Sequence, residues 1–157
     1  MTKTTDARDG LPRRSVRGVT LVELLAVMAI IGSLAAIGIP RYRTVIDRAK
    51  VAKAIGDIEA IGLTLDAQDS LPDNLSSLGT FPKDPWGYDY VYNKFDPTRN
   101  VPAGARRDRF LVPINSSFDL YSVGPDGRSS PPLNAGPSRD DVVRANDGGF
   151  IGLAGQY

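Results

Sequence analysis

The sequence predicts an α+β fold: one long N-terminal helix, membrane-spanning in its first half, packed on a small antiparallel sheet of three to four strands. Two observations predict it. From Val19 to Ile39 the only formally charged residue is Glu23, and at about 1.5 Å per residue this predominantly apolar tract spans roughly 30 Å, one hydrocarbon core. Beyond Leu71 only short runs of alternating apolar residues remain, separated by proline, glycine and asparagine, as expected of strands joined by turns.

Upstream of the tract lies a leader with five basic residues, Lys3, Arg8, Arg13, Arg14 and Arg17, ending at Gly18 where the apolar run begins. A secretory signal is cut on the far side of its apolar region, so this arrangement is of another kind. Inside the tract, Gly32, Gly38 and Pro40 weaken the helix, because proline lacks the amide that would bond the carbonyl four residues back. From Arg41 to about Asp69 the apolar residues Val51, Ile55, Ile58, Ile61 or Gly62, and Leu65 recur every three or four positions, so the helix continues with one face turned to a core. Leu71-Pro72-Asp73-Asn74 stops it, and Leu75, Leu78 and Phe81 suit a segment lying on the domain, with room for one helical turn.

Tyr88, Tyr90 and Tyr92 alternate with Asp89 and Val91 and read as a half-buried strand, with Trp86 as a core anchor at its start. Residues 96–108 read as a solvated loop which, with Arg109, carries four arginines. Further strands are expected over 109–115 and 118–123, with Asn115-Ser116-Ser117 as the turn between them. The remainder, from Gly124 to Tyr157, reads as a proline-rich loop and an extension.

Composition narrows the chemistry. The chain has 157 residues, no cysteine, no histidine and a net charge of +1. Thiol nucleophiles, histidine triads and His or Cys metal sites are excluded, and no basic field marks nucleic acid as a main partner. No glycine-rich phosphate loop follows a strand, so an enzyme is not expected. Glu23 is the one ionisable group in the span, and such a residue either snorkels to the headgroups or has a functional partner. Near the C-terminus, Asp126, Ser138, Asp140, Asp141, Asn146 and Asp147 supply oxygen donors of the type hard cations prefer, although the same residues also form turns.

The basic leader, Gly18, Val19-Thr20-Leu21-Val22-Glu23 and the apolar run to Ile39-Pro40 resemble the signal of type IV pilins and type II secretion pseudopilins. The resemblance implies that residues 1–18 are a leader cut after Gly18 by a prepilin peptidase, with methylation of the new terminus at Val19. Residues 19–40 would then form the transmembrane and polymerisation helix, and 41–157 a pilin-like domain that includes the second half of the helix. It implies that Glu23 pairs with the Val19 amine of a neighbouring subunit during filament assembly, and that the stretch from Gly32 to Pro40 can melt in the filament. Basic residues flank the span on both sides, Arg41, Arg43, Arg48, Lys50 and Lys53 on the far one, so charge alone does not orient it. The resemblance places the leader in the cytoplasm and the domain in the periplasm, anchored in the inner membrane.

Lys83-Asp84-Pro85-Trp86-Gly87 ahead of an aromatic strand is similar to a segment of the major pseudopilin of type II secretion. Ser122-Val123-Gly124-Pro125-Asp126-Gly127 followed by Asp140-Asp141-Val142 resembles the C-terminal calcium loop of those proteins. Carried over by residue, Asp126, Asp140 or Asp141, and the Val123 carbonyl would bind calcium, with Ser138 as a further candidate. In this reading calcium holds a loop that pilins without it close by a disulfide. The implied function is that of a structural subunit of a pseudopilus driving protein export across the outer membrane, with an inner-membrane secretion platform and minor pseudopilins as partners. The alternatives are a type IV pilus subunit for adhesion, motility or DNA uptake, and a singly anchored enzyme or binding protein.

Overall fold

A computed structural model describes residues 18–96, 98 and 104–157; the leader up to residue 17 and Arg99 of the basic loop lie outside them. Two compact units divide the chain, one ending at Tyr42 and the other running from Arg43 to Tyr157. Helix α1, Leu21–Asp66, contributes to both and continues through Gly32, Gly38 and Pro40. It is long and apolar enough to cross a membrane, and Leu21, Val22, Met28, Ile30 and Leu34 on its N-terminal part are all exposed.

In the second unit α1 buries Ala54, Ile58, Ile61, Gly62 and Leu65, the face expected from the three-four spacing. Ala54, Ile58, Ile61 and Leu65 meet Tyr90, Phe118, Leu120 and Val142 in one apolar cluster, with Trp86, Tyr92 and Leu153 packed around it. Fully burying each large apolar side chain stabilises by roughly 1.5–3 kcal/mol, so this cluster holds helix and sheet together. The sheet is a four-stranded antiparallel meander: β1 Val91–Lys94, β2 Phe118–Ser122, β3 Val142–Ala145 and β4 Phe150–Leu153. Side chains alternate between its faces: Val142 joins the helix-side cluster, whereas Val143 and Ala145 pack with Ile114, Leu133 and Ala154 on the other side. Arg144, nearly buried, stacks 4.3 Å from the Phe118 ring and donates to both carboxylate oxygens of Asp66 at the end of α1.

The expected α+β architecture is present, with differences in the strands. The strand expected from Tyr88 begins at Val91, because Asp84 holds the preceding residues in a loop. Its carboxylate accepts the Trp86 and Tyr88 amides at 3.1 and 2.8 Å, and its own amide donates to the Tyr88 carbonyl. No strand forms over 109–115. Asp108 and Leu111 exchange backbone hydrogen bonds and close a tight turn, so the apolar run Phe110-Leu111-Val112 lies on its tip. The region after β2, read as loop and extension, contains β3 and β4. Asn146, Asp147 and Gly148, at φ 51, 53 and 93, reverse the chain between them; asparagine, aspartate and glycine tolerate that left-handed backbone best.

Candidate functional site

Two regions contain the residues singled out by sequence. At the N-terminus, Gly18, Val19 and Thr20 precede the helix and are exposed. A Cβ on Gly18 would meet nothing within 4 Å, so packing among the described residues gives no reason for glycine there. Thr20 and Glu23 form a reciprocal cap. The Glu23 amide donates to Thr20 Oγ1 at 3.2 Å, while Glu23 Oε2 accepts the Thr20 amide at 2.8 Å and its hydroxyl at 2.7 Å. This satisfies amides that the first turn of a helix otherwise leaves unpaired. The Thr-x-x-Glu spacing was the available signal for this second role of Glu23.

In the C-terminal region the turn Gly124–Gly127 leaves β2 and lies against Asp140. Gly124 and Gly127 both sit at φ 66. A Cβ on Gly124 would collide with the Asp140 carbonyl oxygen, and one on Gly127 would approach the Tyr88 ring to 2.5 Å. The Asp126 amide points at Asp140 Oδ2 from 3.4 Å, and Asp126 Oδ1 accepts the Arg128 amide at 2.8 Å. The fold thus brings together Asp126 and Asp140, with Val123 just ahead of the turn.

Asp141 and Ser138 are engaged elsewhere. Ser138 Oγ accepts the Ser130 amide at 2.8 Å and donates to the Ser130 carbonyl at 2.7 Å. Asp141 is fully buried, and its Oδ2 accepts from Arg106 Nη2 and Ser129 Oγ, both at 2.6 Å. Burial pushes its carboxyl up to about 6, against the opposing pull of Ser129 and Arg106. Asp141 Oδ1 is buried and has no partner among the described residues. No group of three or more acidic side chains is placed to hold a metal among the described residues. A calcium ion here would draw on the carboxylates of Asp126 and Asp140, with backbone carbonyls and water completing the six to eight oxygens it takes.

Arg106 is the residue the sequence placed wrongly. Read as part of a solvated loop, it is 2% exposed. Beyond Asp141, its guanidinium donates to Ser129 Oγ and the Ser130 carbonyl and lies 4.3 Å from the Tyr121 ring. Its amide donates to Asp119 Oδ2 at 2.6 Å, and Asn115 Nδ2 donates to the other oxygen of Asp119 at 2.9 Å. Burial raises the Asp119 carboxyl above its ordinary range despite these donors. Arg106 and Asp141 therefore fasten the loops flanking β2 and β3 to each other. No local pattern around Arg106 announces this, since the hydrogen-bond partners of its guanidinium follow by 23 to 35 residues.

An apolar N-terminal helix with a Thr20–Glu23 cap, leading into an amphipathic half backed by an antiparallel meander, defines a pilin-like subunit class. Residues 13–39 match the prokaryotic N-terminal methylation motif. The chain is 34% identical over 127 residues to type II secretion system core protein G of Pseudomonas aeruginosa, covering 75% of this chain and 89% of that one. It is 31% identical over 122 residues to the core protein G of Escherichia coli, covering 71% and 83%. A fimbrial protein of Pseudomonas aeruginosa is 30% identical over 135 residues, covering 86% and 83%. No solved structure matches the chain. The chain belongs to the type II secretion core protein G family, the pseudopilins, within the wider set of pilin-like proteins.

Proposed function

We propose that this chain is a structural subunit of a type II secretion pseudopilus, anchored in the inner membrane by α1 with its domain in the periplasm. The observation that carries this reading is the helix start. Glu23 is the only charge in an exposed apolar helical surface, directly behind Gly18-Val19, and an acid in that setting needs a partner. A prepilin peptidase cuts after Gly18, and the freed, methylated amine of Val19 on one subunit pairs with Glu23 of the next. The cap does not exhaust Glu23, because a carboxylate has about four acceptor sites and only two hydrogen bonds from Thr20 fall on Oε2. Apolar helix faces then leave lipid for one another, and the growing filament, driven from an inner-membrane platform and joined by minor pseudopilins, pushes proteins outward.

Asp126, Asp140 and the Val123 carbonyl form the calcium site in this reading. Support comes from the close approach of Gly124 and Asp126 to Asp140. A bound cation would offset the repulsion of the two carboxylates and fix the turn to the start of β3.

The N-terminal peptide mass of the protein from membranes, with and without the prepilin peptidase, tests the reading. A chain starting at Val19 only when the peptidase is present supports it, and an intact leader in both samples refutes it. The fimbrial relative, aligned over 86% of the chain, favours a second reading as a type IV pilus subunit. Long surface filaments in electron micrographs, with secretion intact in a deletion strain, would select that one.

A further inference from the structure

Phe110 is 100% exposed, and its neighbours Leu111 and Val112 are exposed as well. Such a run on a loop tip is unusual in a soluble domain, where exposed apolar patches mark contacts with other molecules. The tip is held rather than free. Asp108 and Leu111 close the turn with bonds of 3.0 and 2.7 Å, Ile114 donates to the Arg106 carbonyl at 3.2 Å, and Arg107 exchanges backbone bonds with Pro131 and Leu133. Its base is tied down, and Phe110 packs against none of the described residues.

Elsewhere on the same unit a cavity of about 410 Å³ is lined by Val51, Trp86, Pro125 and Leu153, with Asp47, Asp140 and Arg139 at its polar positions. The tip and the cavity share no residue. Each surface offers a charge for the other: exposed Arg107 and Arg109 flank the tip around Asp108, and Asp47 borders the cavity outside the Asp126–Asp140 turn.

We propose that Phe110 of one copy of this chain docks into the Val51–Trp86–Leu153 cavity of a second copy, with Arg109 facing Asp47. An aromatic carried on a backbone-held turn and entering an apolar pocket beside a charge pair has the makeup of an interface anchor, since little backbone freedom is lost on docking. The two surfaces differ, so the contact is head-to-tail and repeats along an open assembly. It rests on the filament-subunit reading and adds a contact between domains to that between helices.

The absence of cysteine in the chain makes the test direct. Full-length chains carrying Phe110→Cys and Val51→Cys, distinguished by size tags, are co-expressed with the secretion machinery, and sheared filaments are mildly oxidised. The expected result is a mixed disulfide-linked dimer at least fivefold above that formed when Ser116→Cys replaces Phe110→Cys. Pro125→Cys at the exposed cavity edge serves as a second acceptor should Val51→Cys fail to accumulate. Arg109→Glu in the Phe110→Cys chain should lower the yield, and Asp47→Arg in the Val51→Cys chain should restore it. Cross-linking at the control level with both acceptors, in filaments that form normally, overturns the proposal alone. Absence of filaments from the wild-type chain counts instead against the filament-subunit reading.

Discussion

Arg106 and Asp141, 35 residues apart in sequence, meet at 2.6 Å with both side chains buried. In a chain without cysteine this pair and its serine partners tie the loop before β2 to the start of β3. Removing one member of a buried pair leaves an uncompensated charge and costs about 3–5 kcal/mol, whereas apolar replacement of both is often neutral or stabilising. Arg106→Met should therefore lower the thermal midpoint far more than the double variant Arg106→Met/Asp141→Leu. Equal losses in the two would show that the pair itself contributes little and that Arg106 matters through its other contacts.

The same site gives a pH dependence. The Asp141 carboxyl moves from an ordinary 3.8 to about 6 because burial disfavours its charge. Between those values the folded chain holds this proton more tightly than the unfolded chain, so the contribution is greatest below about 4 and declines as the pH rises through 6. The stability of the wild type relative to Asp141→Asn should accordingly fall from pH 4 to pH 7. Melting curves of the detergent-solubilised protein across that range check it, and a rising difference would contradict the assigned direction.

Glu23 both caps α1 and offers a charge, and the two roles separate by substitution. Glutamine still completes a capping box, so Glu23→Gln should keep the helix start while abolishing filament assembly. Thr20→Ala should weaken the cap by about 0.5–2 kcal/mol and leave assembly largely intact. Filament yield in the two variants is the measurement, and equal losses would mean that the cap, not the charge, limits assembly.

Gly124 stands at φ 66 against the Asp140 carbonyl. A left-handed conformation alone costs a non-glycine residue about 1–2 kcal/mol, and the collision adds to it. Gly124→Ala should destabilise the domain clearly more than Gly136→Ala, where a Cβ meets nothing within 4 Å. Comparable melting temperatures would place the turn away from Asp140.

Calcium at Asp126 and Asp140 should raise the thermal midpoint of the full chain. At a hundredfold excess over its dissociation constant, binding to the folded state alone stabilises by about 2.7 kcal/mol. A chelator should reverse the shift, and Asp126→Asn should reduce it. A wild-type midpoint indifferent to calcium would remove the ion from the account of this loop.

The long helix and the face it buries can be read directly along the chain. Apolar content over Val19–Ile39 and the spacing of Ile58, Ile61 and Leu65 are local properties, and a helix has a period that can be read along the chain. The short strand Phe118–Ser122 was legible for the same reason. Strands β3 and β4 were not: each has four residues, too few for alternation to register, and the Asp147-Gly148 turn between them was read for its oxygens instead of its backbone.

Which polar residues belong to the interior depends on how the domain closes in space. Asp140 and Asp141 are neighbours in sequence, yet β3 turns Asp141 inward to Arg106 while Asp140 remains beside Asp126. Asp84, which reads as part of a turn, is almost buried and receives the Ser122 hydroxyl at 2.6 Å. A buried charge or carboxylate is tolerable only beside its partner. Those partners come from segments far along the chain, so the pairing follows from how the sheet and loops close rather than from any local pattern.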